Sequence, residues 1–122
     1  MEPHARDIVT PDLQKVGGLA IAQRIADFAD LHSMPQAPHN ISSPIGTLTA
    51  AHFCAAIPNF LALEVQASDV PFWNERVEGL PSPMVQKGFV SVPEKPGLGV
   101  ILNEKVARRY ARKDSPFLRD GK

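Results

Sequence analysis

Short apolar runs alternate with segments of helical periodicity along the first half of the chain. The apolar runs occupy residues 8–11, 34–38 and 60–65. Between them, residues 19–31 and 48–56 repeat apolar side chains at the i, i+3, i+4 spacing of an amphipathic helix. The pattern therefore predicts the element order β-α-β-α-β.

This order is typical of parallel strands that are joined by right-handed helical crossovers. Thr47, just before the second helical pattern, is the expected N-cap. Pro35 and Pro38 argue against a central, fully paired position for every residue of the second strand, so we expect a proline at the end of a short barrel strand. Three strands do not close a barrel, and the two open edges indicate that the chain is only part of a larger functional unit.

The second half of the chain has a different composition. Residues 66–86 are rich in proline and have little periodicity, which predicts a long irregular segment. Residues 88–92 favour a short strand, and residues 103–112 favour a final amphipathic helix. We therefore predict a partial barrel over residues 1–65 and a tail over residues 66–122 that packs on the barrel or its capping region.

Composition and charge narrow the functional classes. The 122 residues suffice for one small domain, with 43% hydrophobic and 21% charged residues and a formal net charge of zero. The absence of a basic stripe argues against nucleic-acid binding. A single cysteine, Cys54, excludes an internal disulfide and predicts a buried thiol in an apolar segment. No apolar run reaches the roughly 20 residues of a membrane span, so we expect a cytoplasmic protein without membrane contact.

Each of the three apolar runs leads into an ionisable side chain: Asp12, His39 and Glu64 respectively. Because the carboxyl ends of parallel strands lie on one face, these side chains are expected to converge there. An imidazole both takes and gives a proton near neutral pH, and a neighbouring carboxylate fixes its tautomer and stabilises the imidazolium. Each residue alone has a structural interpretation, but the three together favour an Asp12–His39 acid/base dyad.

Four motifs carry a resemblance to a known family. They are PDLQKVGG at residues 11–18, PHN at residues 38–40, LE at residues 63–64 and PGLGV at residues 96–100. Over residues 7–112 the chain resembles the C-terminal third of the enolase superfamily. The closer similarity is to its mandelate racemase branch, and within that branch to acid-sugar dehydratases of the gluconate and galactonate type.

The resemblance implies an α/β fold, namely the last three strands and two helices of a (β/α)₇β barrel, followed by the tail. It implies Mg²⁺-dependent dehydration of a sugar acid to a 2-keto-3-deoxy acid, with Asp12 and His39 as the general acid/base pair. Glu64 would assist at the enolised carboxylate, and Asn40 would bind a sugar hydroxyl. Trp73 would cover the pocket, although packing is the more usual role for such a residue.

The chain also departs from the family pattern. The family's three metal-binding carboxylates and its second base lie on earlier strands and have no counterpart here, and Lys15 does not replace that base. We therefore expect that the parent family uses Mg²⁺ but that this chain alone binds none. We also expect that this chain alone does not convert a substrate. The expected partners are a sugar-acid substrate and either further copies of the chain or a complementary barrel fragment. The alternatives are a racemase or epimerase, or a non-catalytic remnant or association module.

Overall fold

Two helices dominate the first half of the chain. The computed structural model describes residues 7–66 and 68–112. Helix α1 spans Leu19–Leu31, which confirms the predicted bounds. It begins after Gly18, whose φ of 88° lies in the left-handed region that glycine adopts without steric cost. Its C-cap is His32, whose backbone N–H donates to the Ala29 carbonyl.

Helix α2 spans Pro44–Ala56 and begins a turn earlier than predicted. Its N-cap is Ser43, whose hydroxyl accepts a hydrogen bond from the Gly46 N–H at 3.5 Å. Pro44 suits the first helical position because its φ is already helical and no N–H is needed there. The prediction of Thr47 as N-cap was wrong: this side chain is buried inside the helix and its hydroxyl bonds to Asn40.

Three extended segments run parallel beside these helices, at residues 9–11, 35–40 and 59–66. The middle segment pairs with both neighbours, since Ala37 N–H donates to the Val9 carbonyl at 3.0 Å and parallel bridges join it to the first and third segments. The predicted parallel order is thereby confirmed. The chain is accordingly a small α/β unit with few strands.

Backbone hydrogen bonds join the segments at several points, including His39 N–H to the Pro11 carbonyl and Glu64 N–H to the Pro38 carbonyl, but they form isolated bridges rather than continuous strands. Gln36 lies at the centre of the middle segment. Its backbone N–H donates to the Asn59 carbonyl at 2.7 Å, and its backbone carbonyl accepts from Leu61 N–H at 2.8 Å. Pro35 and Pro38 flank it and carry no N–H, so each removes one donor from a ladder. The expected central segment therefore forms, but with gaps in its hydrogen bonding.

The region predicted to be irregular contains short regular elements. In chain order the second half holds a 3₁₀ helix at Asn74–Arg76, β1 at Val77–Glu78, β2 at Val85–Gln86, β3 at Phe89–Val90, β4 at Ile101–Leu102 and α3 at Glu104–Arg109. Strands β1 and β4 pair antiparallel, as do β2 and β3. The final helix is shorter than predicted. The division into a partial barrel over residues 1–65 and a tail over residues 66–122 stays a prediction, and parts of both ranges lie outside the described residues.

Helix α2 contributes to two hydrophobic clusters that together form the core. The first cluster lies between the helices and the parallel segments and consists of Leu13, Ala22, Ala26, Ala50, Phe53, Cys54 and Ile57. The second joins the tail to α2 and consists of Leu48, Trp73 and Met84. Burial raises the pKa of the Cys54 thiol to about 12, which agrees with the predicted buried thiol. None of the helices described in the structure is long and apolar enough to cross a membrane.

Leu48→Ala should destabilise the protein, because this side chain is fully buried in the cluster that fastens the tail to α2. We expect a loss of about 2–5 kcal/mol in the free energy of unfolding, measured by urea denaturation. Leu31→Ala is the matched control: this leucine is 82% exposed, so the change should stay within about 0.5 kcal/mol. Equal effects of the two substitutions would contradict the core assignment.

Candidate active site

The ends of the three parallel segments bring Asp12, His39 and Glu64 together. His39 Nδ1 lies 2.9 Å from Asp12 Oδ2, a hydrogen bond between residues 27 positions apart. On the other side of the ring, His39 Nε2 lies 3.8 Å from Glu64 Oε2. About a third of the His39 side chain is exposed, so the ring is accessible to solvent. The predicted spatial convergence of the three side chains is what the structure shows.

A tight turn holds Asp12 in place. Its backbone carbonyl accepts hydrogen bonds from Lys15 N–H and Val16 N–H, each at 2.9 Å. Its Oδ1 accepts from Gln14 N–H at 3.0 Å, the pattern in which a short acidic side chain caps its own turn. Leu13, buried in the first cluster, anchors the turn to the core. The carboxylate therefore projects from a backbone that is fixed by hydrogen bonds and by packing.

Asp12 is held in its ionised form. Its pKa lies below the usual value, chiefly because Lys15 donates a hydrogen bond to it. Partial burial acts in the opposite direction, while the His39 ring and the Gln14 N–H add to the lowering. An ionised carboxylate only accepts hydrogen bonds, so the proton in the short contact is on His39 Nδ1. In the neutral imidazole, Nε2 is consequently the nitrogen with the free lone pair.

Glu64 faces this free nitrogen and serves as an acceptor itself. Its Oε2 accepts from the Asn40 backbone N–H at 3.3 Å, and its Oε1 accepts from the Gln66 side-chain amide. The role expected of Glu64, donation to an enolised carboxylate, requires a protonated carboxyl group. In both contacts seen here a Glu64 oxygen accepts the hydrogen bond.

The other two predicted site residues have partners away from the imidazole. The Asn40 side chain is 2% exposed, donates to Thr47 Oγ1 at 3.0 Å and accepts from the Ser42 hydroxyl. Its amide is therefore engaged in the loop structure, and only its backbone N–H meets Glu64. Trp73 is also 2% exposed; it packs in the second cluster, and its Nε1 donates to the Ser42 carbonyl at 2.8 Å. The structure thus places Trp73 in the core, which matches packing rather than a pocket cover.

Lys15 and Gln66 were missed as members of this group. Lys15 Nζ lies 2.9 Å from Asp12 Oδ2, and Gln66 supports Glu64 as described above. A sequence signal existed for both: Lys15 stands three residues after Asp12 in a turn, and Gln66 stands two residues after Glu64 on the same side of an extended segment.

The implied Mg²⁺ is not matched by a set of ligands in the described parts of the chain. Within residues 7–66 and 68–112, no group of three or more His, Cys, Asp or Glu side chains is placed to hold a metal ion. Asp12, His39 and Glu64 are already engaged with one another and with N–H donors. In the described parts of the chain, these three residues therefore do not fit a Mg²⁺ site by themselves.

Comparison with known proteins places this site in a family context. The model of the family described as enolase C-terminal domain-like matches residues 1–106. D-xylonate dehydratase from Haloferax volcanii is 48% identical over 103 residues, which cover 84% of this chain and 24% of that protein. A crystal structure of a mandelate racemase/muconate lactonizing enzyme-like protein from Rubrobacter xylanophilus has a TM-score of 0.86 at 47% identity, covering 93% of this chain and 29% of that one.

A crystal structure of an enolase from Pantoea ananatis with bound D-gluconate and Mg is also similar. Its TM-score is 0.74 at 28% identity, with 88% of this chain and 26% of that one covered. The chain therefore spans between 24% and 29% of the length of these three proteins.

Stability should fall in acid because of Asp12. The folded-state pKa of Asp12 is lowered, so the unfolded chain takes up this proton more readily, and the contribution is present above about pH 4 and lost below it. Asp12→Asn removes the titrating group. Between pH 7 and pH 3, the free energy of unfolding should fall more steeply in the wild type than in Asp12→Asn, as measured by urea titration at each pH. Parallel curves for the two proteins would show that Asp12 contributes nothing.

Proposed function

The chain belongs to the enolase C-terminal domain-like family, and from this premise we propose that it supplies proton-transferring side chains of a sugar-acid dehydratase. The observation that carries the proposal is the His39–Asp12 hydrogen bond at the ends of adjacent parallel segments. The remaining side chains of the enzyme, including those for Mg²⁺, would come from polypeptide equivalent to the rest of its longer relatives. The three segments would then correspond to the last three strands of the barrel.

The proposed dehydration of a sugar acid needs a side chain that exchanges protons with the substrate. A base takes the proton from the carbon beside the carboxylate, the C–H electron pair forms a C=C bond, and the neighbouring hydroxyl departs as water with a proton that an acid supplies. The resulting enol then tautomerises to the 2-keto-3-deoxy acid. His39 Nε2 is the atom placed for this exchange, since Nδ1 is engaged with Asp12. Asp12 stabilises the imidazolium while it carries the extra proton.

The substrate class is supported by the relatives. The H. volcanii relative is a dehydratase of D-xylonate, and the P. ananatis structure holds D-gluconate. Both compounds are sugar acids with hydroxyl groups on the two carbons after the carboxylate, which is the arrangement that dehydration requires. A racemase or epimerase would use the same pair, but the names of these relatives favour the dehydratase.

A hybrid enzyme tests the proposal. In it, this chain's residues replace the matching 103-residue segment of the H. volcanii dehydratase. We expect the hybrid to dehydrate D-xylonate in buffer with Mg²⁺, and His39→Asn in the hybrid to lower kcat at least about a hundredfold, the usual scale for a general acid/base. Formation of the 2-keto-3-deoxy acid is followed by a colorimetric assay.

The control for this experiment is His32→Asn, because His32 is an exposed histidine at the end of α1. It should leave kcat within about twofold, the range of a surface change remote from the site. A fall of less than about tenfold for His39→Asn would remove His39 from the mechanism. A folded hybrid without turnover would contradict the assignment to a dehydratase.

We also propose that the outer parallel segments associate with another polypeptide. Among the described residues, nothing pairs with the outer edge of either segment. An open strand edge presents unpaired N–H and C=O groups to other chains. Large apolar side chains accompany these edges: Ile8, Phe60 and Leu61 are 42%, 45% and 54% exposed. A second copy of this chain or a complementary barrel fragment would cover both features.

The purified chain should therefore sediment as an oligomer at micromolar concentration in analytical ultracentrifugation. Leu61→Lys should shift the distribution toward the monomer, because a lysine at this edge cannot be buried without losing its hydration. Leu31→Lys provides the matched control on α1 and should leave the distribution unchanged. A monomeric wild-type chain would contradict self-association and leave the complementary fragment as the covering partner.

A further inference from the structure

Lys15 and His39 contact the same oxygen atom. Lys15 Nζ and His39 Nδ1 each lie 2.9 Å from Asp12 Oδ2. The lysine side chain is 69% exposed, whereas the Asp12 side chain is 15% exposed. The ammonium group thus approaches from the solvent side, and the shielded carboxylate lies between it and the imidazole.

With Gln14, these contacts engage both oxygens of the carboxylate. Gln14 N–H donates to Oδ1 at 3.0 Å, while Lys15 and His39 share Oδ2. Rotation of the carboxylate about its Cβ–Cγ bond would break the contacts on both oxygens at once. The Gln14 contact is provided by the backbone, so Lys15 is the contact that a side-chain substitution can remove while the imidazole of His39 stays in place.

We infer that Lys15 is a positioning residue for the Asp12–His39 pair: its ammonium group holds the Asp12 carboxylate turned toward the imidazole. The inference rests on the proposed function, in which Asp12 must accept the Nδ1 proton throughout. Lys15 does not touch the reacting atoms, since it contacts Asp12 on the solvent side.

The charges around the Asp12–His39 pair support a positioning role for Lys15. Lys15 is the cation beside Asp12, and Glu64 is the carboxyl group on the opposite side of the imidazole. An opposite charge at hydrogen-bond distance favours the ionised form of a carboxyl group, and Lys15 is the largest contributor to the lowered pKa of Asp12. Lysine also lies three positions after Asp12 in the same turn, so the contact needs no distant part of the fold.

The titration of Asp12 in the full-length chain tests this assignment. Its carboxyl ¹³C signal, followed by NMR from pH 7 to pH 2, should show a midpoint raised by roughly half a pH unit or more in Lys15→Met. Lys15→Arg should keep the wild-type midpoint, because a guanidinium also binds a carboxylate. Lys105→Met, at an exposed lysine on α3, is the matched control and should leave the midpoint unchanged.

The same test can be made without any substitution. In 1 M salt the partly exposed ion pair is screened, so the Asp12 midpoint of the wild-type chain should rise toward its usual value. A midpoint that does not move in Lys15→Met, or that moves equally in Lys15→Arg, overturns the inference.

Kinetics of the hybrid enzyme then separate this inference from the proposed function. Lys15→Met should lower kcat at least about fivefold with KM within about twofold, and Lys15→Arg should restore it, because orientation of a catalytic group affects the transition state more than substrate binding. An unaltered kcat together with a shifted Asp12 midpoint overturns the positioning role. An inactive hybrid with the expected titration contradicts the proposed function alone, because the titration is measured on the chain by itself.

Discussion

The pairing of the middle parallel segment with both neighbours is the constraint on which the site depends. Gln36 is in register with Val9 on one side and Phe60 on the other. This register brings His39, three positions later, level with Asp12 at the end of the first segment. Because side chains alternate between the two faces, a shift of one residue would turn the imidazole away from the carboxylate. The hydrogen bond between distant residues is therefore a consequence of backbone register.

Buried polar contacts hold the loop of residues 40–43, which follows His39, in one conformation beside the site. Asn40 bonds to Thr47 in α2, and Trp73 in the tail donates to the Ser42 carbonyl. Buried amide and indole N–H groups are costly without partners, so these contacts select one loop conformation. The same conformation presents the Asn40 N–H to Glu64. Asn40 and Trp73, which were expected to bind a substrate, thus hold the loop beside His39 and Glu64 in place. The tail takes part in this support through Trp73.

The chemistry of the site follows from the distribution of donors around two carboxylates. His39 Nδ1 is bonded to Asp12, so Nε2 is the ring nitrogen that the proposed proton exchange would use. Glu64 faces that nitrogen across 3.8 Å. This arrangement sits in a chain that spans about a quarter of its relatives' length, as the 24% coverage of the xylonate dehydratase shows. Proton transfer and metal binding would accordingly be carried by different stretches of polypeptide in the proposed enzyme.

The sequence by itself determined the features that depend on neighbouring residues. Apolar periodicity located α1 at both ends, and the alternation of runs and helices indicated parallel segments whose ends carry Asp12, His39 and Glu64. Only the tertiary structure decided features that depend on distant partners. Burial of Trp73 follows from contacts with α2 and the tail, and the sharing of Asp12 by Lys15 and His39 follows from backbone register. Periodicity reports which face of an element is apolar, whereas such contacts depend on which elements meet, and that is settled by the packing of the whole chain.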